Sequence, residues 1–357
     1  MLTSFSVKNF RCFHDLTITG LERINLIAGK NNVGKTSLLE AIHLHCLPDK
    51  PRLWIKVHKL RGIEDPLEAI EEIADWNFHH GNRKDPIVSQ SCDNQRVERE
   101  TSFHLVDAAM SRQEFADVEN WIATVMPALA GSDVGRLILQ YSHNGTAKSA
   151  VCSAGKLGYG GVLSLEHPVA GKIPNLFLGS LIADEDRDIH NFGVLKRDMR
   201  DHELVPPLQH IEPRLRKLDL VPFAGMPRIH GKLEGFRRLV PLSQIGEGMR
   251  RLLSILLAIA NVPGGIVFID EIENGLHYSV HTQVWKAIAE AARNADVQVF
   301  ATTHSWECLR YAHEAFSEDE IDDFRLHRLD RANGEITATT YDRETIDAAL
   351  TMGVEVR

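Results

Sequence analysis

Apolar residues fall into two rhythms along this chain. Ser4 to Arg11 alternates polar and apolar positions, and residues 12–18 repeat the pattern in return, so both read as strands. Then the alternation stops. Ile24-Asn25-Leu26-Ile27-Ala28 is nearly continuous apolar sequence, the mark of a strand covered on both faces. A glycine-rich loop follows at residues 29–36. After it, Ser37 to Leu47 reads as a helix with Leu38, Leu39, Ile42 and Leu44 available for packing.

The same grammar returns near the other end. Gly246-Glu247-Gly248-Met249-Arg250-Arg251 opens a long apolar helix through Ala260. Gly265 to Ile269 is a buried strand ending in Asp270-Glu271, Val280 to Arg293 is an amphipathic helix, and Val297 to Thr303 is a second buried strand ending at His304. Strands near 324–328 and 336–341 and a helix over 343–352 close the pattern. Helices alternating with apolar strands predict an α/β fold on a parallel sheet covered on both faces. Antiparallel pairing of the first two strands would bring Arg11 near the glycine loop.

The middle is less regular. Helices are expected over 65–76 and 112–126, and antiparallel strands over 86–106 and 134–165 with a turn at Asn144-Gly145. Residues 191–217 read as mostly helical. The expected organisation is a discontinuous core from residues 1–47 and 239–320. A β-rich and helical insertion over 48–180, a helical arm over 181–238 and a strand–helix cap over 321–357 complete it. No internal repeat, low-complexity tract or heptad run is visible.

Composition narrows the picture. At 43% hydrophobic and 25% charged, the 357 residues are ordinary for a globular protein. A net charge of −9 argues against coating nucleic acid by charge alone. The five cysteines are scattered, odd in number and without a C-x-x-C, which disfavours a disulfide framework and favours a reducing, cytoplasmic setting. No apolar leader is present. Leu252 to Ile269 is uncharged, but Asn261-Val262-Pro263-Gly264-Gly265 breaks it, so no membrane partner is expected. Basic residues gather in 187–238 among many acids, which favours a salt-bridged surface over a phosphate-tracking one. Glu273, His277 and His281 are spaced like a metal set, but Asn274-Gly275 interrupts any helix that would align them.

Residues 29–36 fit G-x-x-x-x-G-K-[ST] at every fixed position, between a strand and a helix. In that setting the loop's backbone N–H groups curl around an anion at a helix N-terminus. Asn31, Asn32, Gly34, Lys35, Thr36 and Ser37 are the candidate nucleotide contacts, with Lys35 reaching the β- and γ-phosphates and Thr36 offering its hydroxyl to Mg²⁺. Asp270 is the second candidate Mg²⁺ ligand. Glu271 is the candidate general base for water, and His304 a candidate sensor of the third phosphate.

Taken with Asn9-Phe10-Arg11, these segments resemble the ABC-type ATPases of the RecF, SMC and OLD group. The resemblance covers both ends of the chain and fits residues 48–239 loosely. It implies a P-loop NTPase with an ABC-type head, an antiparallel β subdomain and an inserted helical region. It implies ATP and Mg²⁺ as ligands and Arg11 as a nucleotide contact. It also implies two heads sandwiching two ATP molecules in a homodimer or higher homo-oligomer. Gly246, Glu247 and Gly248 would then meet the γ-phosphate in trans, with Asn274-Gly275-Leu276 at the seam. Gly246 stands where that group usually has Ser, and no metal-binding Gln is identifiable; Gln90 and Gln95 are the nearest positions. OLD-type proteins continue into a Toprim nuclease. About fifty residues follow His304 here, so the expectation is the ATPase half of a split antiphage system, with a separate, Toprim-like effector. A RecF-like DNA repair ATPase, with DNA as partner, and a slow-turnover nucleotide-locked scaffold are the alternatives.

Overall fold

The period of two inside the apolar runs decides the architecture. In β3 (Ile24–Ala28), Ile24, Leu26 and Ala28 join one hydrophobic core while Ile27 joins another. β13 (Ile266–Ile269) and β14 (Gln298–Thr302) divide in the same way: Val267, Ile269, Val299 and Ala301 face the first core, Phe268 and Phe300 the second. A strand buried on both faces needs a layer on each side, and the chain supplies two.

The computed structural model describes residues 1–50, 52–63, 75–106, 136–143, 146–154, 162–165, 171–180, 184–223, 225–317 and 321–352. The helix expected at 112–126, most of that expected at 65–76 and the turn at 144–145 lie outside the described residues. In the central sheet, β9 (Asn175–Leu178), β13, β14, β3 and β15 (Phe324–Ala332) run parallel, in that order. β16 (Glu335–Tyr341) closes the edge antiparallel to β15. Phe177, Phe268 and Phe300 stack across three neighbouring strands with ring centroids 5.8 Å apart at each step. One face is covered by α4 (Glu247–Ala260), α5 (His281–Asn294) and α6 (Trp306–Ser317), with α7 (Arg343–Thr351) packing on α6.

The other face is covered by α1 (Lys35–Cys46), and beyond it lies an antiparallel sheet. That sheet runs β2 (Phe13–Thr19), β1 (Leu2–Phe10), β4 (Ile87–Asp93), β5 (Glu98–Val106), β6 (Arg136–His143), β7 (Thr146–Ala154) and β8 (Val162–Leu165). Helix α1 touches strands of both sheets, so it is buried nearly all round and its polar residues need partners inside. Glu40 is fully buried and is held by Arg11 at 2.9 Å and by both ends of the Arg61 guanidinium at 2.8 Å. Arg61 follows α2 (Arg52–Lys59). His45 lies between the Ser89 and Ser91 hydroxyls of β4.

Three expectations change. Residues 175–178, expected within an insertion, form the outer parallel strand of the central sheet, and residues 324–332, expected in a terminal cap, form an inner one. Residues 215–233, expected to be part of a helical arm, form the hairpin β10 (Leu215–Phe223) and β11 (Met226–Leu233) after α3 (Glu185–Arg197), with β12 (Val240–Pro241) paired beside it. The charge on that hairpin masks its apolar positions Leu215, Leu218, Ile229 and Leu233, all buried.

Buried histidines make this core acid-sensitive. Burial pushes His43 and His58 down to about 4 and His327 to about 3. Each therefore stays neutral in the fold while the unfolded chain protonates near 6.5. Their contribution is complete above that value and is lost as pH falls towards 4 and then 3. At pH 5 each costs up to about 2 kcal/mol. The melting temperature should drop steeply between pH 7 and pH 5, and His327→Asn should flatten that slope; a flat profile in the unaltered chain would contradict neutral burial.

Candidate nucleotide and catalytic site

Four strand ends meet at one edge of the central sheet, where open α/β sheets bind ligands. β3 leads into the glycine loop, β13 into Asp270-Glu271, β14 into Thr303-His304, and β9 into Gly179-Ser180. The loop geometry demands its glycines. Gly29 has φ +146°, and a Cβ there would lie 2.6 Å from the Leu329 carbonyl oxygen. Gly34 has φ +99°, and a Cβ would meet the Cys12 sulfur at 2.6 Å and the Phe13 ring at 2.9 Å. Asn32 is left-handed at φ +62°. Asn31 and Asn32 are exposed on the loop. Lys35 begins α1, and its ammonium donates to the carbonyls of Gly29 at 2.7 Å and Lys30 at 3.0 Å. Burial lowers the Lys35 pKa, opposed by the carboxylates of Glu273, Asp270 and Glu271.

Thr36 and Asp270, 234 residues apart in sequence, meet directly: the Thr36 hydroxyl lies 2.9 and 3.1 Å from the two carboxylate oxygens. Thr302 donates to the same carboxylate at 2.7 Å. Burial raises the Asp270 pKa, and the two threonine hydroxyls pull it back. Two oxygen donors at hydrogen-bond distance, one a buried carboxylate held in place, fit a hard divalent cation of the Mg²⁺ class. Among the described residues no group of three or more His, Cys, Asp or Glu is gathered as a metal set.

Glu271 takes a left-handed backbone, φ +47°, uncommon for a side chain of its size. Its N–H donates to the Thr302 hydroxyl at 2.8 Å, and its Oε2 accepts from the Asn274 amide at 2.8 Å. His304 Nδ1 lies 3.9 Å from Glu271 Oε1 and 3.1 Å from Glu273 Oε1. Glu271, His304 and Asp270, the candidates for base, phosphate sensor and metal ligand, are therefore gathered at one end of the sheet.

Arg11 does not join them. Its side chain is buried and paired with Glu40, and burial pulls its pKa down to about 10. The expectation of a nucleotide contact at Arg11 is corrected: the strand pairing is right, but α1 presents a buried carboxylate that claims the guanidinium first. Arg61 is the arginine at the loop, donating to the Ser37 hydroxyl at 3.1 Å. Nothing in the local pattern around Arg61 marks it.

Gly246 (φ +146°) precedes α4 with no side-chain cap on the helix, which leaves its first N–H groups available to an anion. Gly248 sits against Leu276, and Gly275 against the Glu247 side chain, so residues 246–248 and 274–276 form one patch. Arg251, one turn into α4, donates to the carbonyls of Asp270 at 3.1 Å and Glu271 at 3.4 Å. Sequence reading placed Arg251 at the helix opening and Asn274 in the seam loop without these contacts, and missed Thr302, to which only the doubled threonine ending β14 pointed. Gln90 is an exposed β4 residue whose amide bonds Glu100. In the basic stretch, Lys196 and Lys217 pair with Asp219, Arg214 with Glu212, Arg216 with Glu234, and Arg228 with Glu185. No helix among the described residues is long and apolar enough to cross a membrane.

Comparison with known proteins agrees with this geometry. A family model described as "AAA ATPase domain" matches residues 1–84, and one described as "AAA domain, putative AbiEii toxin, Type IV TA system" matches residues 173–309. An "ATP/GTP phosphatase" of Helicobacter pylori is 22% identical over 386 residues, spanning 97% of each chain. A RecF replication and repair protein of Chloroherpeton thalassium is 50% identical over 46 residues, 13% of this chain and 12% of that one. An SMC head solved with the C-terminal winged-helix domain of ScpA is 13% identical, with a TM-score of 0.49 over 97% of this chain and 99% of that one. The two models divide the site between them, the AAA ATPase domain holding Lys35 and Thr36 and the AAA domain holding Asp270, Glu271 and His304, so both halves of the site lie in segments similar to AAA-type ATPase domains.

Proposed function

We propose that the chain hydrolyses ATP in a Mg²⁺-dependent reaction at composite sites made by two copies, and that this cycle controls a separate effector. The observation that carries the reading is the contact of the Thr36 hydroxyl with the Asp270 carboxylate, with Glu271 and His304 beside it. Thr36 and Asp270 would hold Mg²⁺, which when bound supplies charge neutralisation at the β- and γ-phosphates. Lys35 and the loop N–H groups bind the triphosphate. Glu271 takes the proton of the attacking water as its oxygen bonds to phosphorus, and the leaving oxygen departs with ADP. His304 senses the third phosphate.

The open patch of residues 246–248 and 274–276 supports pairing in trans, because α4 begins there without a side-chain cap. The middle of the chain, outside the strand at 175–178, is proposed to carry partner contacts. The toxin–antitoxin wording of the model over residues 173–309 supports a two-component role, and we assign the chain to antiphage defence with a Toprim-like nuclease as effector. The RecF similarity over 46 residues favours a second reading, a DNA repair ATPase.

Glu271→Gln should keep ATP affinity, lose roughly 10²–10⁴-fold in turnover, and accumulate an ATP-bound dimer in light scattering. Wild-type turnover would remove Glu271 as base, and a monomer at every ATP concentration would remove the composite site. Lys35→Ala should abolish ATP binding and ATP-dependent pairing together, read by calorimetry and light scattering. Affinity capture with mass spectrometry, run with and without duplex DNA, should return a protein effector in both arms. Steeply salt-dependent, ATP-dependent duplex binding with no protein partner would favour repair.

A further inference from the structure

Glu273 is three residues beyond Asp270 and begins the loop that carries Asn274-Gly275-Leu276. Its side chain is 11% exposed. A single oxygen, Oε1, faces three donors at the end of β14: the Thr303 hydroxyl at 2.9 Å, the His304 backbone N–H at 2.8 Å and His304 Nδ1 at 3.1 Å. The backbone and the ring of His304 are therefore held from the same point. An ionised carboxylate only accepts, so Nδ1 carries the hydrogen and the lone pair is left on Nε2. The ring is 47% exposed, and Nε2 has no hydrogen-bond partner among the described residues. The other carboxylate oxygen, Oε2, is buried without a hydrogen-bond partner, a cost that a residue kept for packing alone would not carry.

We propose that Glu273 is the positioning residue for His304: it aligns the ring and fixes the tautomer that leaves Nε2 free for the reacting end of the nucleotide. The inference rests on the reading of His304 as a phosphate-sensing group. Glu273 also precedes Asn274, whose amide holds Glu271, so two consecutive residues of the 273–276 loop hold the two catalytic side chains.

The test is a double-mutant cycle on steady-state hydrolysis by the full chain with Mg²⁺ and ATP, with ATP affinity measured separately. Glu273→Leu should lower kcat by roughly 10²-fold, the scale of a misplaced catalytic group. KM and ATP affinity should stay within about threefold, because only the reacting end is disturbed. Glu273→Asp, which keeps the carboxylate, should recover part of the loss. His304→Ala should match the Glu273→Leu loss, and the double variant should be no slower than His304→Ala alone. Losses that multiply in the double variant, or wild-type kcat in Glu273→Leu beside an impaired His304→Ala, would overturn the inference and leave the reading of His304 intact. Wild-type kcat in His304→Ala would remove that reading and the inference with it. If Glu273→Leu does not fold, Glu273→Gln carries the same cycle and the same outcomes.

Discussion

One carboxylate ties the halves of this chain together. Asp270 is buried at the end of β13, bonded on one side by Thr36 of α1 and on the other by Thr302 of β14. A buried carboxylate without partners would be costly, so the three elements are held in mutual register by the need to satisfy it. Arg251 adds a second restraint from α4, bonding the Asp270 and Glu271 carbonyls. The helix that follows Gly246 is thereby fixed relative to Glu271 of the same chain.

Helix α1 is the second point of dependence. It lies between two sheets and is buried nearly all round, so it cannot show an apolar stripe. Its polar residues find partners instead: Glu40 in Arg11 and Arg61, His45 in two serines. Breaking such a pair leaves an uncompensated buried charge, which costs more than the pair contributes. The glycine loop is thus braced from behind by the antiparallel sheet as well as by the parallel one. Two residues of the site, Asn32 and Glu271, take a left-handed backbone, as do Asn9, Arg11 and five others among the described residues.

The placing of Asp270, Glu271 and His304 was legible because each follows an apolar run, and a run that stops at a polar or charged residue marks a strand end without further information. The parallel sheet was legible for the same reason. Arg61 and the bond from Asn274 to Glu271 were not, because each acts through a contact distant in sequence or within a tight turn, where no periodicity speaks. Arg11 was misassigned because proximity of strands does not say which carboxylate lies nearer. The hairpin at 215–233 was hidden by charge, since paired Lys, Arg, Asp and Glu decorate a strand's exposed face as readily as a helix's.

Local chemistry alone determined the strand–loop–helix cradle, the acidic strand end and the histidine, because their residue types and spacing admit few backbones. Tertiary structure decided which strands are neighbours. Residues 175–178 and 324–332 enter the central sheet through hydrogen bonds to β13 and β3. Short apolar segments carry no record of which partner will satisfy their backbone groups; only the packed sheet, where every buried N–H and C=O must be paired, makes that choice.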